Sequence, residues 1–190
     1  MPVSVPAEPD ASSQEDGAEA FRRVSLSALT ESAAAFFENL DIVAETVGHQ
    51  VEEARSVEAE LGATIGFVSD HARGTLTLVP DSHLIARSHP LVKGDDVQAE
   101  HAADWVGEMA NQIMGRCKNR LLPYGVTLLC DTPISVSGKV RLGNRKRRAT
   151  AVQMRCGDDN MRLWWDVDVD PDIVLGTGEA AREEGELCLF

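Results

Sequence analysis

The stretch that decides the fold is Gln98–Leu122, QAEHAADWVGEMANQIMGRCKNRLL. Turned at about 100° per residue, it sorts onto two sides. Ala102, Trp105, Val106, Met109, Ala110, Ile113, Cys117 and Leu121 fall on one broad side. Asp104, Glu108, Asn111, Gly115 and Lys118 fall on the other, within a stripe roughly 80° wide. This spacing predicts a long amphipathic helix whose apolar side faces a core and whose stripe faces solvent or a partner. Gly94-Asp95-Asp96 breaks the chain before it. Pro123 ends it, because proline cannot donate to the helix ladder.

Upstream, Leu61, Ala63, Ile65 and Phe67 alternate with Gly62, Thr64 and Gly66, the period of a strand. Ser69–Gly74 reads as a turn, and Leu76 and Leu78 alternate with Thr75 and Thr77, so a hairpin is expected. A short helix over 81–92 has Asp81 or Ser82 to cap it. Earlier still, Leu29, Ala33, Phe36, Leu40, Val43 and Val47 recur at helical spacing, with Gly48 as the stop. Downstream come three strand-like runs: Val126, Leu128 and Cys130, then Val152, Met154 and Cys156, then Met161–Val169. The last alternates cleanly, with Met161, Leu163, Trp165, Val167 and Val169 on one face and Arg162, Trp164, Asp166, Asp168 and Asp170 off it. Hairpins separated by long helices predict an α+β fold, a mostly antiparallel sheet with long helices packed on one face. Residues 1–25 read as a flexible acidic leader, 26–175 as the domain, and 176–190 as a tail.

Composition narrows the function classes. At 190 residues and 43% apolar content, the chain can bury a core without disulfide or metal staples. No apolar run approaches the ~18 residues of a membrane-spanning helix. Met1–Pro6 lacks a basic region and an apolar run, which predicts no secretory signal and a cytoplasmic protein. The net charge of −13 argues against nucleic acid, whose phosphates need a positive field. Residues 1–60 carry 13 acids against 3 bases, so the excess sits in the N-terminal third. Cys117, Cys130, Cys156 and Cys188 form no CxxC pair and have no histidine at ligand spacing, so they read as buried, reduced thiols, and no metal site is expected.

The stripe is where chemistry gathers. Asp104 and Glu108 place carboxylates four residues apart. Asn111, one turn beyond Glu108, offers both a donor and an acceptor. Gly115 costs about 1 kcal/mol of helix propensity against alanine, a cost that makes sense if something must approach the backbone closely. A solvated face with an incidental glycine would read the same way, since a bare Glu-x-x-Asn is common.

The segment Glu108-Met109-Ala110-Asn111-Gln112-Ile113-Met114-Gly115-Arg116-Cys117-Lys118 resembles the signature helix of the CheC/CheX/FliY family of chemotaxis phosphatases. The likeness continues through Leu121, Gly125 and Thr132–Gly138, and upstream through Ile65-Gly66-Phe67 and Gly74-Thr75-Leu76. It covers roughly residues 30–172 and is closest to CheX, since the first helix, read through Glu45-Thr46-Val47-Gly48, has valine where a second asparagine would stand. The resemblance implies a phosphatase acting on the aspartyl phosphate of a CheY-like response-regulator receiver domain. It implies that Asn111 positions the attacking water inside the partner's active site and that Glu108 pairs with a lysine of the partner. Asp104, Gly115 and Lys118 would be docking contacts. The chain would need no cofactor, with magnesium held by the receiver, and would pair as a homodimer through its sheets. A non-catalytic module of the same fold, sequestering or scaffolding a receiver, is the rival reading; an unrelated α+β domain with a coincidental motif is the third.

Three features stand outside the family pattern. Lys139–Arg148 holds six bases and no acids, with Gly143-Asn144 placed for a hairpin tip; it is a solvated turn or an anionic docking site. Trp164 covers neighbouring strands or a subunit interface. The end, Leu187-Cys188-Leu189-Phe190, is a frayed terminus or a binding peptide.

Overall fold

Strands β2 (Ser56–Val68) and β3 (Ala72–Pro80) form the expected hairpin, with Ile65 opposite Leu76 and Ala63 opposite Leu78. These four side chains are buried, and the threonines between them point to the other face, where the Thr64 and Thr77 hydroxyls lie 3.1 Å apart. The computed structural model describes residues 16–52, 56–90, 99–143 and 149–178. Its other elements are α1 (Gly17–Glu38), β1 (Ala44–Glu52), α2 (Ser82–Ser88), α3 (Ala99–Leu121), β4 (Leu129–Cys130), β5 (Ile134–Gly143), β6 (Ala149–Cys156) and β7 (Asp159–Val169). The strands make one seven-stranded sheet in the order β1-β6-β7-β3-β2-β4, with β5 also on β2, and every described pairing is antiparallel. Helices α1 and α3 pack on each other, α1 over β1 and β7, α3 over β2, β3 and β5. The fold is the α+β arrangement expected, with its core between the helices and one sheet face.

The alternation in β7 sets that face. Met161, Leu163 and Trp165 are sealed in the core, where Trp165 stacks on Phe67 at 4.5 Å and donates from Nε1 to the Ser25 hydroxyl of α1 at 3.1 Å. Trp105 of α3 likewise donates to Ser88 of α2 at 2.9 Å. These two indoles thus keep a partner for their polar edges, whereas Trp164 Nε1 is buried with no partner among the described residues. The outer face of β7 is drier than its sequence suggests. Trp164, opposite Thr77 and Ala151, is 6% exposed and Asp166 is 7% exposed, whereas Asp168 lies open and binds Arg73 at 3.1 Å.

Several expectations need correction. The first helix runs from Gly17 to Glu38, not through Val47, and Phe21 and Leu29 are among its buried residues. The packed domain therefore begins before residue 26. The stop is not Gly48 but Asp41, held at φ 57° while Asp41 N–H donates to Glu38 and Ile42 N–H to Phe37. This double bond is the Schellman closure, with aspartate in the left-handed position usually given to glycine. Glu45–Gly48 consequently lies on strand β1, where Glu45 pairs with Arg155, and says nothing about a second helical motif. The segment from Val126 to Cys130 contributes only the two-residue β4, with Val126 and Leu128 buried against the helices. Thr132–Gly143, read only as a loose family match and a basic segment, contains the long strand β5. Among the described residues β5 pairs with β2, and β6 with β1 and β7. Cys117 and Cys156 are buried, but Cys130 is exposed. After β7 the chain tucks Ile173 into the core, and Gly176 N–H donates to the Tyr124 carbonyl at 2.9 Å. Residues 1–15 of the leader, Asn144–Arg148 of the basic segment and 179–190 with the Leu187–Phe190 end lie outside the described residues.

Candidate functional site: the outer stripe of α3

Helix α3 is fixed by what it buries. Trp105, Val106, Met109, Ala110, Ile113, Met114, Cys117 and Leu121 all sit in the core, and Ala102 is half-buried at its edge. At its end the chain passes into a short 3-10 turn over Leu122–Tyr124 and reverses at Gly125, φ 76°, whose N–H donates to the Leu122 carbonyl at 2.9 Å. Only a residue free of a β-carbon adopts that conformation cheaply.

One flank of the helix is set by Gly107. A β-carbon there would lie 2.5 Å from the Ser135 hydroxyl and 4.0 Å from Pro133, so glycine lets α3 rest directly on the start of β5. The Thr132–Gly138 segment is therefore the shelf on which the helix lies. The role of Gly107 was not readable in advance, since nothing in the sequence says which strand comes to lie beside it.

With the core side fixed, the stripe turns outward. Asp104, Glu108, Asn111 and Gly115 are exposed and Lys118 is half-buried. The five follow one another along a single convex face of α3, and the half-exposed Leu122 continues it. A β-carbon on Gly115 would meet nothing within 4 Å, so no packing demand inside the described fold explains that glycine. Glu108 is not loose: the Gln112 side-chain amide donates to its Oε1 at 2.8 Å. Sequence reasoning passed over Gln112, although its i,i+4 spacing to Glu108 was the signal to look for. Among the described residues, the Asn111 carboxamide has no hydrogen-bond partner. Near the far end, burial pushes the Cys130 thiol up, the Lys118 ammonium beside it pulls it down, and Asp131 pushes it up again.

Among the described residues, the Glu108 carboxylate and the Asn111 carboxamide, one turn apart on an exposed ridge, have no walls around them. Such a pair cannot enclose a small substrate or exclude water, and gains a dry environment only by entering a cavity on another molecule. The concavity between the β2–β3 turn and the end of β7, about 390 Å³, is lined by Val68–Arg73 and Asp168–Asp170 and contains none of the stripe. Among the described residues no group of His, Cys, Asp and Glu converges to hold a metal ion, and no helix is long and apolar enough to cross a membrane.

The fold has solved counterparts. A putative chemotaxis protein from Desulfovibrio vulgaris Hildenborough superposes with a TM-score of 0.66 at 17% identity, covering 76% of this chain and 96% of its own. Chemotaxis protein CheX from Vibrio vulnificus gives 0.64 at 18%, covering 76% and 99%. A CheX–CheY–BeF3–Mg2+ complex from Borrelia burgdorferi gives 0.59 at 16%, covering 75% and 97%. At these identities the likeness carries the fold alone. No curated protein sequence matches the chain. The model of the chemotaxis phosphatase CheX matches residues 61–156, just over half of the chain and the span from within β2 through the stripe helix to the end of β6, and on that match the chain belongs to the CheX family.

Proposed function

We propose that this protein hydrolyses the aspartyl phosphate of a CheY-like response-regulator receiver domain. The observation that carries the reading is Asn111: an exposed carboxamide with no partner among the described residues, at the centre of a convex ridge and one turn from a held carboxylate. Family membership supports it, as does a Borrelia relative seen as a CheX–CheY complex. In this reading the stripe enters the receiver's active site. Asn111 holds a water in line with phosphorus; the water's oxygen bonds to phosphorus, the bond to the aspartyl oxygen breaks, and inorganic phosphate leaves. An acyl phosphate is already activated, so positioning and charge stabilisation are what remain to be supplied. The magnesium ion that neutralises the phosphoryl oxygens belongs to the receiver, and this chain brings no cofactor. Glu108 pairs with a lysine of the receiver and orients it. Asp104 and Lys118 make contacts at the two ends of the ridge, and Gly115 admits the receiver's surface to the helix backbone. A receiver is a cytoplasmic substrate, and this protein works there.

The test is phosphate release from a CheY-like receiver charged with acetyl phosphate, with and without the protein. Asn111→Ala is expected to abolish acceleration while binding survives. Unchanged acceleration in that variant would reject the role of Asn111. A wild-type protein that binds the receiver without changing its dephosphorylation is the non-catalytic module instead.

The assembly is part of the same proposal. Among the described residues, strands β1 and β5 each pair on one side only, and in this reading those two edges of the sheet receive a second copy. A homodimer joined through the sheets is expected, and light scattering that returns the mass of one chain at working concentration would remove it.

A further inference from the structure

In an α-helix a carboxylate at position i has two possible donors one turn ahead, at i+3 and i+4. For Glu108 these are Asn111 and Gln112. The structure resolves the competition one way: Gln112 Nε2 donates to Glu108 Oε1 at 2.8 Å, and Asn111 bonds no described residue. We propose that Gln112 is a positioning residue of the site, holding the Glu108 carboxylate so that the Asn111 carboxamide stays uncommitted. The proposal rests on the phosphatase reading of the stripe and deepens it.

Two pieces of chemistry make the arrangement specific. First, an amide can fix a carboxylate without neutralising it. Lysine or arginine at 112 would hold Glu108 equally well but cancel the charge that is to meet the receiver's cation. With Oε1 occupied by a neutral donor, Glu108 keeps its full charge and presents Oε2. Second, the direction is right. Helical side chains lean toward the N-terminus, so Gln112 reaches back naturally onto Glu108, away from the outward path of Asn111. A helix-stabilising role accounts for less, because α3 is already anchored by Trp105, Met109, Ile113 and Cys117 in the core.

The experiment compares three full-length variants against an acetyl-phosphate-charged CheY-like receiver. In Gln112→Met the side chain keeps its bulk and loses its donor. Asn111 then becomes the donor to Glu108, and kcat is expected to fall roughly threefold to tenfold, the span of one net hydrogen bond. Gln112→Lys restores a donor, so kcat is expected to recover while KM rises, because Glu108 is now neutralised. Asn111→Ala is the third variant and tests the parent reading. A readout independent of the receiver is the Asn111 side-chain amide in 15N NMR, whose resonances should move in Gln112→Met and return in Gln112→Lys. Thermal unfolding of all three checks that the fold is intact. If Asn111→Ala is inactive while Gln112→Met matches the parent in kcat and leaves the amide unmoved, the positioning proposal fails and the phosphatase reading stands. If Asn111→Ala is active, the reading itself has failed. Parallel losses of kcat in both Gln112 variants would also overturn the proposal, since a donor at 112 would then not be what matters.

Discussion

Two glycines on α3 serve opposite ends. Gly107 is buried where a β-carbon would press on Ser135, and Gly115 is exposed where a β-carbon would touch nothing. A glycine in a helix interior costs about 1 kcal/mol against alanine, and inside the described fold only Gly107 returns that cost. Gly115→Leu is therefore expected to stabilise the chain by roughly 0.5–1 kcal/mol through helix propensity, read as a higher urea midpoint. The same change should raise KM for a phosphorylated receiver roughly tenfold or more, since forcing bulk into a packed contact costs ~1–3 kcal/mol. A more stable protein with unaltered KM would show that nothing docks against this turn of the helix. Gly115 was legible because it interrupts a strong helical pattern with no structural excuse. Gly107 was not, because its reason is a hydroxyl on a strand far along the chain.

The same contrast holds for whole elements. The α3 helix, the β2–β3 hairpin and β7 could be read from their periods because each carries its apolar residues on one face over many residues. The first helix was misjudged at its end because Val43 and Val47 continue its spacing by coincidence. Both belong to the segment leading into and along edge strand β1, and both are exposed, so the pattern they extended was not a buried face at all. What ends α1 is the chain reversal at Asp41, and aspartate signals a left-handed turn far more weakly than glycine does. Strand β5 escaped notice for a related reason. Among the described residues it pairs only with β2, and Lys139 and Arg141 sit exposed along it, so the alternation that marks a half-buried strand is diluted by the polar residues an edge strand carries. Within the stripe, side-chain type and spacing placed Asp104, Glu108, Asn111, Gly115 and Lys118 on one outer face. The hydrogen bond from Gln112 needed coordinates, because spacing allows Asn111 the same bond.

Across the whole molecule, the ridge and the core are separate systems, and the thiols report on the core. Burial pushes both Cys117, in α3, and Cys156, at the end of β6, up to about 12 from an ordinary value of 9.0. For Cys117 the neighbouring Cys130 adds to the rise and Arg120 opposes it. For Cys156, Arg87 opposes the rise and Asp159 and Asp81 reinforce it. The neutral thiol is thus the form the folded state keeps. Below pH 9.0 both states hold these protons and stability does not depend on them. Above it the unfolded chain releases them first, binds fewer protons than the folded one, and gains. Stability is therefore lost as pH climbs from 9.0 toward about 12, by up to about 1.4 kcal/mol per pH unit for each thiol. Two such thiols weigh heavily against a total of ~5–15 kcal/mol. Urea midpoints measured at pH 8, 9, 10 and 11 should fall steeply in the parent. The double variant Cys117→Ala, Cys156→Ala should start lower, because it leaves cavities, yet decline less steeply, because only titrations common to both chains then remain, those of lysine, tyrosine and the other two cysteines. Equal slopes in the two proteins would mean that the thiols ionise without opening the core, and that α3 is held by less than the sealed packing described.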